Sequence, residues 1–274
     1  MTKMMATWTT AIVGGLLSSR CRAVADAAVL LGLALCCAAW AQQPEPLATQ
    51  IAAPPQAVWT PTSVAPKGLL TALEGEHHDR FINRARSGEI DIVFFGSTET
   101  EMWLWQDRGR RVWDQTFGSL KAADFGTQGT RFDSLLWRMR NGELDGYRAK
   151  LVVLQAQGDD DTAVRDGGFD DYVANYAAII AEVRARQPQA RILLFGIFPR
   201  SGTHTGRLAN AALAKLGTNE TVFFIDISAR FFRPDGSHNS EMWTMSGPPN
   251  AGIHEPAFKV WAEELQPWLD RFVR

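Results

Sequence analysis

From Gly68 to the C-terminus, short runs of consecutive apolar residues alternate with longer stretches in which apolar positions recur every three or four residues. The runs Ile92-Val-Phe-Phe95, Leu151-Val-Val-Leu154, Ile192-Leu-Leu-Phe195 and Val222-Phe-Phe-Ile225 show no polar alternation, so each suits a strand covered on both faces. They predict strands over 90–95, 151–155, 191–197 and 221–227, with a fifth over 121–125. The amphipathic stretches predict helices over 70–87, 99–116, 132–144, 169–186, 207–216 and 257–272. This alternation implies a parallel five-stranded sheet between helical layers, an α/β fold of the three-layer type with its site at the carboxyl ends of the strands. The loop over 228–250 is the one long irregular stretch within this pattern, and loops of that length commonly serve function.

The first 41 residues depart from the pattern. Arg20 and Arg22 precede an apolar run, 27–39, which leads into Ala39-Trp40-Ala41; this reads as a secretory signal cleaved before Gln42. The run is 13 residues long, short of the roughly 20 a membrane-spanning helix needs, so an uncleaved anchor is the weaker alternative. The 19 residues ahead of Arg20 are unlike an ordinary n-region and point to a start downstream of Met1. Residues 42–67 are rich in Pro, Ala, Thr and Gln and read as an extended tether, leaving 68–274 as a single domain.

Removing the leader changes two further inferences. Cys21, Cys36 and Cys37 all lie within it, so the exported chain has no disulfide and depends on its core even in an oxidising compartment. Taking Lys3, Arg20, Arg22 and Asp26 from the 28 basic and 30 acidic residues leaves 25 and 29, a net charge of −4 without a long single-sign run. Neither nucleic acid nor an anionic membrane surface is an expected partner.

The strongest chemical signal is Ile90-Asp-Ile-Val-Phe-Phe-Gly-Ser-Thr-Glu-Thr-Glu-Met-Trp103, a buried strand running into Gly96 and then into residues that can start a helix. It resembles the first block of the SGNH (GDSL-type) hydrolases, Gly-Asp-Ser-x-Thr-Glu-x-Trp, with Gly96, Thr100, Glu101 and Trp103 in register. Three further blocks carry the resemblance, which is nearest to the platelet-activating-factor-acetylhydrolase-like branch. They are Asp124-Phe-Gly-Thr-Gln-Gly-Thr130 with Leu135-Leu-Trp-Arg-Met-Arg-Asn-Gly-Glu-Leu144, Arg186-Gln-Pro-Gln-Ala-Arg-Ile-Leu-Leu-Phe-Gly-Ile-Phe-Pro-Arg200, and Gly252-Ile-His254 with Trp261-Ala-Glu-Glu-Leu265. The resemblance implies a flavodoxin-like SGNH-hydrolase fold and an acyl-ester hydrolase without a cofactor. Its substrate would be a small-molecule or carbohydrate ester, or a lipid ester.

Carried over position by position, the resemblance puts Thr98 in the nucleophile's place and Ser97 where the family has Asp. Gly129 stands for the oxyanion-hole glycine, and Asp159 for the Asn. His254 stands for the base, and Ala251 for the Asp three residues before it. Threonine keeps the hydroxyl but adds a methyl that stiffens χ1 and crowds a tetrahedral centre. Loss of the carboxylate behind the histidine costs about 10⁴ in turnover in serine proteases, and water, a backbone carbonyl or Glu255 are the candidate substitutes. An ionised Asp159 cannot donate to an oxyanion, and a missing donor costs about 10²–10³; only a protonated Asp159 does the work of Asn.

Plainer roles are open for the same residues. Ser97 and Thr98 can cap the helix that begins there, Gly129 can be a backbone requirement, 159–161 can be a solvated loop, and His254 an ordinary surface histidine. No metal site is expected, since no His accompanies those aspartates at ligand spacing. His77 and His78 are expected to be exposed on the first helix, and His204 and His238 to lie in loops. Trp103, Trp137 and Trp261 suit core packing, whereas Trp105 and Trp243 suit contact with a ligand. Two functions follow, a secreted or periplasmic ester hydrolase and a binding module on a degenerate scaffold; oligomeric state is open. The intact mass of exported protein should correspond to a chain beginning at Gln42, and a chain still carrying 31–39 would establish an anchor instead.

Overall fold

The computed structural model describes residues 65–156, 168–198, 204–244 and 252–274. Residues 1–64, read above as a leader and most of a tether, lie outside these. Five strands, β1 (Ile92–Phe95), β2 (Ala122–Asp124), β3 (Leu151–Gln155), β4 (Arg191–Phe195) and β5 (Val222–Ile225), form one parallel sheet in the order β2-β1-β3-β4-β5. Phe94 lies beside Asp124 of β2 on one side and Val153 of β3 on the other. Chain direction across the sheet reverses at β1 and β3, which makes the C-terminal end of β1 the crevice where such sheets bind ligands.

Because successive strand residues face opposite sides, each apolar run feeds two cores. Val93, Phe95, Val152, Leu154, Ile192 and Leu194 are buried on one face with α1 (Ala72–Arg86), α4 (Phe132–Arg138), α5 (Phe169–Arg186) and α6 (His204–Leu213). Ile92, Phe94, Leu151, Val153, Leu193 and Phe195 are buried on the other. There they meet α3 (Arg110–Phe117) and the closing helix α7 (Glu255–Phe272) through Trp103, Trp113, Phe117, Phe258 and Trp261. Helix α1 starts at a reciprocal cap, in which the Glu74 N–H donates to the Thr71 hydroxyl at 3.1 Å and the Thr71 N–H to the Glu74 carboxylate at 2.9 Å.

Three expectations need correction. The helix expected over 99–116 is divided into α2 (Thr98–Glu101), a tight 3₁₀ turn (Met102–Leu104) and α3. The break arises because Trp105 is extended (φ −78°, ψ 132°) and Gly109 packs against the backbone of Trp103: a Cβ at Gly109 would come within 2.6 Å of the Trp103 Cα. Part of the loop expected to be irregular over 228–250 is ordered. It holds a 3₁₀ turn (Ser228–Phe231) and strand β6 (Trp243–Thr244), which pairs antiparallel with β7 (Gly252–Ile253).

His77 and His78 are buried, not exposed. His78 Nδ1 lies 2.8 Å from the Glu143 carboxylate, and burial, followed by the nearby Arg80, holds the His77 imidazolium below its ordinary range.

Arg138 and Glu143, both with no exposed surface, explain that burial. Arg138 Nε is 3.1 Å from the Glu143 carboxylate, while its Nη2 donates to the Phe125 carbonyl at 2.9 Å and its Nη1 to the Thr130 hydroxyl at 3.3 Å. One guanidinium therefore ties the turn after α4 (Met139–Glu143) to both ends of the loop that follows β2. Removing one partner of a buried pair leaves an uncompensated charge and costs about 3–5 kcal/mol. Arg138→Met should lose about that much in urea unfolding, whereas Arg110→Met, at an exposed pair with Asp114, should change stability by less than about 0.5 kcal/mol.

Candidate active site

The chain leaves β1 through Gly96, where a Cβ would collide with the Thr100 hydroxyl and lie 2.9 Å from the Thr100 Cβ. Only glycine lets α2 fold back this tightly on the strand end. Ser97 occupies the N-cap position of α2 and Thr98 its first turn. The Thr100 and Glu101 N–H groups both return to the Ser97 carbonyl at 3.1 Å, but the Ser97 hydroxyl makes no cap hydrogen bond. Side-chain capping therefore does not account for this serine.

The loop after β2 is laid against the start of α2. The Gln128 N–H donates to the Glu101 carboxylate at 2.6 Å, and a Cβ at Gly126 would come within 2.5 Å of the Glu101 nitrogen. Thr127 to Thr130 form a tight turn, closed by hydrogen bonds from the Thr130 N–H (3.3 Å) and hydroxyl (2.7 Å) to the Thr127 carbonyl. Gly129 in that turn has φ +79°, which favours glycine on backbone grounds. Beneath it Asp124 accepts from the Gly126 N–H at 2.7 Å; burial pushes its carboxyl well above the usual carboxylate range. Ser97, Thr98 and Gly129 thus belong to two segments in direct contact at the ends of β1 and β2.

His254 arrives from the opposite side of the sheet, between β7 and α7, with its backbone N–H on the Met242 carbonyl at 2.9 Å. A Cβ at Gly109 would also lie 3.0 Å from Phe258 Cδ1, so the 102–109 segment packs closely on the first turns of α7. That packing carries Arg108, only 6% exposed, to the histidine, where its Nη1 lies 3.0 Å from Nδ1. A guanidinium only donates, so Nδ1 is the acceptor. Burial, followed by the Arg108 charge, holds the His254 imidazolium below the ordinary histidine range, and Asp107 opposes that effect.

Glu255, one candidate substitute for the missing Asp, is engaged elsewhere. It pairs with Arg111 and with Lys259, which hold its carboxyl at about 2. Among the described residues the partner of the His254 ring is thus a cation where the resemblance implied a carboxylate. Nothing in the local sequence marks Arg108 for this, because 146 positions separate it from His254.

Trp105 is half-buried beside the break in the chain, against the core under α7. Trp243 is 4% exposed within that core, which leaves little of its ring for a ligand. Trp103 and Trp261 are fully buried with ring centroids 5.0 Å apart. Asp159 and Ala251 lie outside the described residues. Among the described residues no group of three or more metal-ligating side chains assembles, and no helix is long and apolar enough to cross a membrane.

Residues 93–254, more than half of the chain, match the model of the GDSL-like Lipase/Acylhydrolase family. The chain belongs to this family. Over 169 residues it is 27% identical to platelet-activating factor acetylhydrolase IB subunit alpha2 of Rattus norvegicus, covering 58% of this chain and 69% of that one. Over 167 residues it is 29% identical to the alpha1 subunit of Bos taurus, covering 58% and 68%. Among solved structures, a Streptococcus pneumonia chain superposes with a TM-score of 0.58 at 18% identity, covering 72% of this chain and 92% of that one. A member of the lipolytic protein G-D-S-L family from Veillonella parvula gives 0.50 at 10% identity, covering 67% and 100%. The five-stranded sheet is therefore the GDSL hydrolase fold, as the strand pattern and the four blocks implied.

The glycine contacts can be tested directly. Gly126→Ala must push α2 off the loop and should destabilise the domain by about 1–3 kcal/mol, the usual cost of overpacking. Gly75→Ala, inside α1 with open space around the added methyl, should instead stabilise by about 0.5–1 kcal/mol. Thermal unfolding of the two variants against the parent checks both signs.

Proposed function

We propose that this chain is an exported acyl-ester hydrolase with a divergent site, acting on a carbohydrate or lipid ester bound at the ends of β1 and β2. The observation that carries this reading is the contact between the Gly96–Glu101 and Gly126–Gly129 segments. It puts a hydroxyl-bearing helix start beside a glycine turn, the arrangement needed to hold an acyl group against backbone donors. In this reading Thr98 supplies the attacking oxygen, its proton passing to solvent water and water returning one to the leaving alcohol, and the Thr98 and Gly129 N–H groups receive the developing oxyanion. His254 closes the site, Trp105 offers a ring face to the ligand, and Ser97 forms its border. Asp159 adds a donor only when protonated. The threonine methyl and, among the described residues, the absence of a carboxylate behind His254 make turnover slow.

A second reading, a binding module for carbohydrate esters on the same scaffold, is favoured by one specific observation: Arg108 donates to His254 Nδ1. Ordinary general-base action needs the opposite polarity, with Nδ1 donating to a carboxylate and Nε2 free to accept.

Hydrolysis of p-nitrophenyl acetate by the parent, Thr98→Ala, His254→Ala and the double variant distinguishes the two. For a hydrolase, each single variant should lose at least about tenfold in kcat/KM, and the double variant should be within about threefold of the worse single one, since groups acting as a unit are non-additive. For a binding module all four should share one trace rate, while Trp105→Ala weakens binding of an acetylated oligosaccharide by about tenfold. Activity that survives Thr98→Ala and disappears with Ser97→Ala would assign the nucleophile to Ser97.

A further inference from the structure

We infer that Arg108 is a positioning residue that holds His254 as its Nε2–H tautomer, so that the neutral ring offers a hydrogen-bond donor to the ester site rather than a proton acceptor. A neutral imidazole carries one N–H and one acceptor nitrogen, and the tautomer is set by whatever bonds the nitrogen facing the protein. Here that partner is the Arg108 Nη1, 3.0 Å from Nδ1, a group that never accepts. Nδ1 must therefore be unprotonated, and the proton of the neutral ring resides on Nε2. Protonating both nitrogens would set an imidazolium N–H against a guanidinium N–H, which agrees with the lowered proton affinity of this ring.

Among the described residues the neighbours of His254 do not offset this. Its own helix supplies Glu255, whose carboxylate is taken by Arg111 and Lys259. The 102–109 segment supplies Arg108 and the largely exposed Asp107, which is 3.9 Å from Arg108 Nε. Met242, just before β6, presents its carbonyl, which is taken by the His254 backbone N–H. Arg108 is itself held in place, since it is buried beside Gly109, whose close packing on Trp103 and Phe258 leaves no room for a side chain.

A histidine fixed this way donates to an acyl carbonyl oxygen, an oxyanion or a carboxylate, but cannot remove the Thr98 proton through Nε2. The inference deepens the proposed ester site and rests on it for the ligand, though not for the tautomer. An arginine behind the histidine thus converts the position from base to oxygen-binding donor.

The test is long-range ¹H–¹⁵N correlation of the full exported chain labelled with ¹⁵N-histidine at pH 8, with the His254 signals assigned by their loss in His254→Gln. The expected result is an unprotonated Nδ1 and a protonated Nε2, with the other tautomer at least about tenfold less populated, as suits a charge-assisted hydrogen bond. Arg108→Met should give a mixture of tautomers and raise the titration midpoint of His254, whereas Arg108→Lys, still a donor, should keep the parent tautomer. Unchanged signals from His77, His78, His204 and His238 report that each variant is folded. A protonated Nδ1 in the parent overturns the inference, and so does a folded Arg108→Met with the parent's tautomer. If Arg108→Met does not fold, the parent spectrum alone decides. These readouts need no turnover, so an Nε2–H ring in a protein without esterase activity would sink the hydrolase reading and leave this one standing.

Discussion

The site depends on one steric constraint: two backbone segments approach each other more closely than any side chain allows. Gly96 must clear Thr100, and Gly126 must clear the Glu101 nitrogen. Once both conditions hold, α2 turns back on the end of β1, and the loop after β2 lies across its first turn with the Gln128 N–H on Glu101. Position, rather than any unusual chemistry, then brings Thr98 and the Gly129 turn into neighbouring segments. The same contact explains why the site lies at β1, where the strand order of the sheet reverses and a crevice is left between crossovers.

Buried cations hold this arrangement on two sides. On one face of the sheet Arg138 reaches Phe125, Thr130 and Glu143, so the loop bearing Gly129 is anchored at both ends by one guanidinium. On the other face Arg108 reaches His254. The two differ in what they leave behind. Arg138 meets a carboxylate of opposite charge, which His78 also contacts. Arg108 meets a neutral ring and dictates where that ring keeps its proton. Planar donors that cannot lose their charge suit both tasks, since the partner and not the arginine must adjust.

Membership of the GDSL-like acylhydrolase family and the altered residues at its site are compatible once scaffold and proton chemistry are separated. The sheet, the glycine contacts and the anchored loop depend on packing. Proton transfer depends on a few polar atoms, and the site proposed here departs from the family pattern at those positions: threonine for serine, serine for aspartate, and an arginine behind the histidine. A fold of this kind hosts many reactions, so function has to be argued from the polar atoms of the site.

Local sequence alone determined the sheet and marked the candidate site. Four consecutive apolar residues are enough to require cover on both faces, and a glycine between strand and helix is enough to mark the turn, so β1, β3, β4 and β5 and the Gly96 segment were legible from adjacent positions. Helix α5 begins and ends where its periodicity does, whereas the stretch over 99–116 concealed a break, because the packing of Gly109 against Trp103 and Phe258 is not a property of helical spacing. Tertiary structure decided the state of the histidines. His78 is buried by a carboxylate 65 positions away and His254 is oriented by an arginine 146 positions away. Trp243, which sequence position assigned to the cleft, is drawn into the core by its pairing with Ile253. A residue's period and size are written locally, but its protonation and exposure depend on whichever distant group the fold brings within a hydrogen bond.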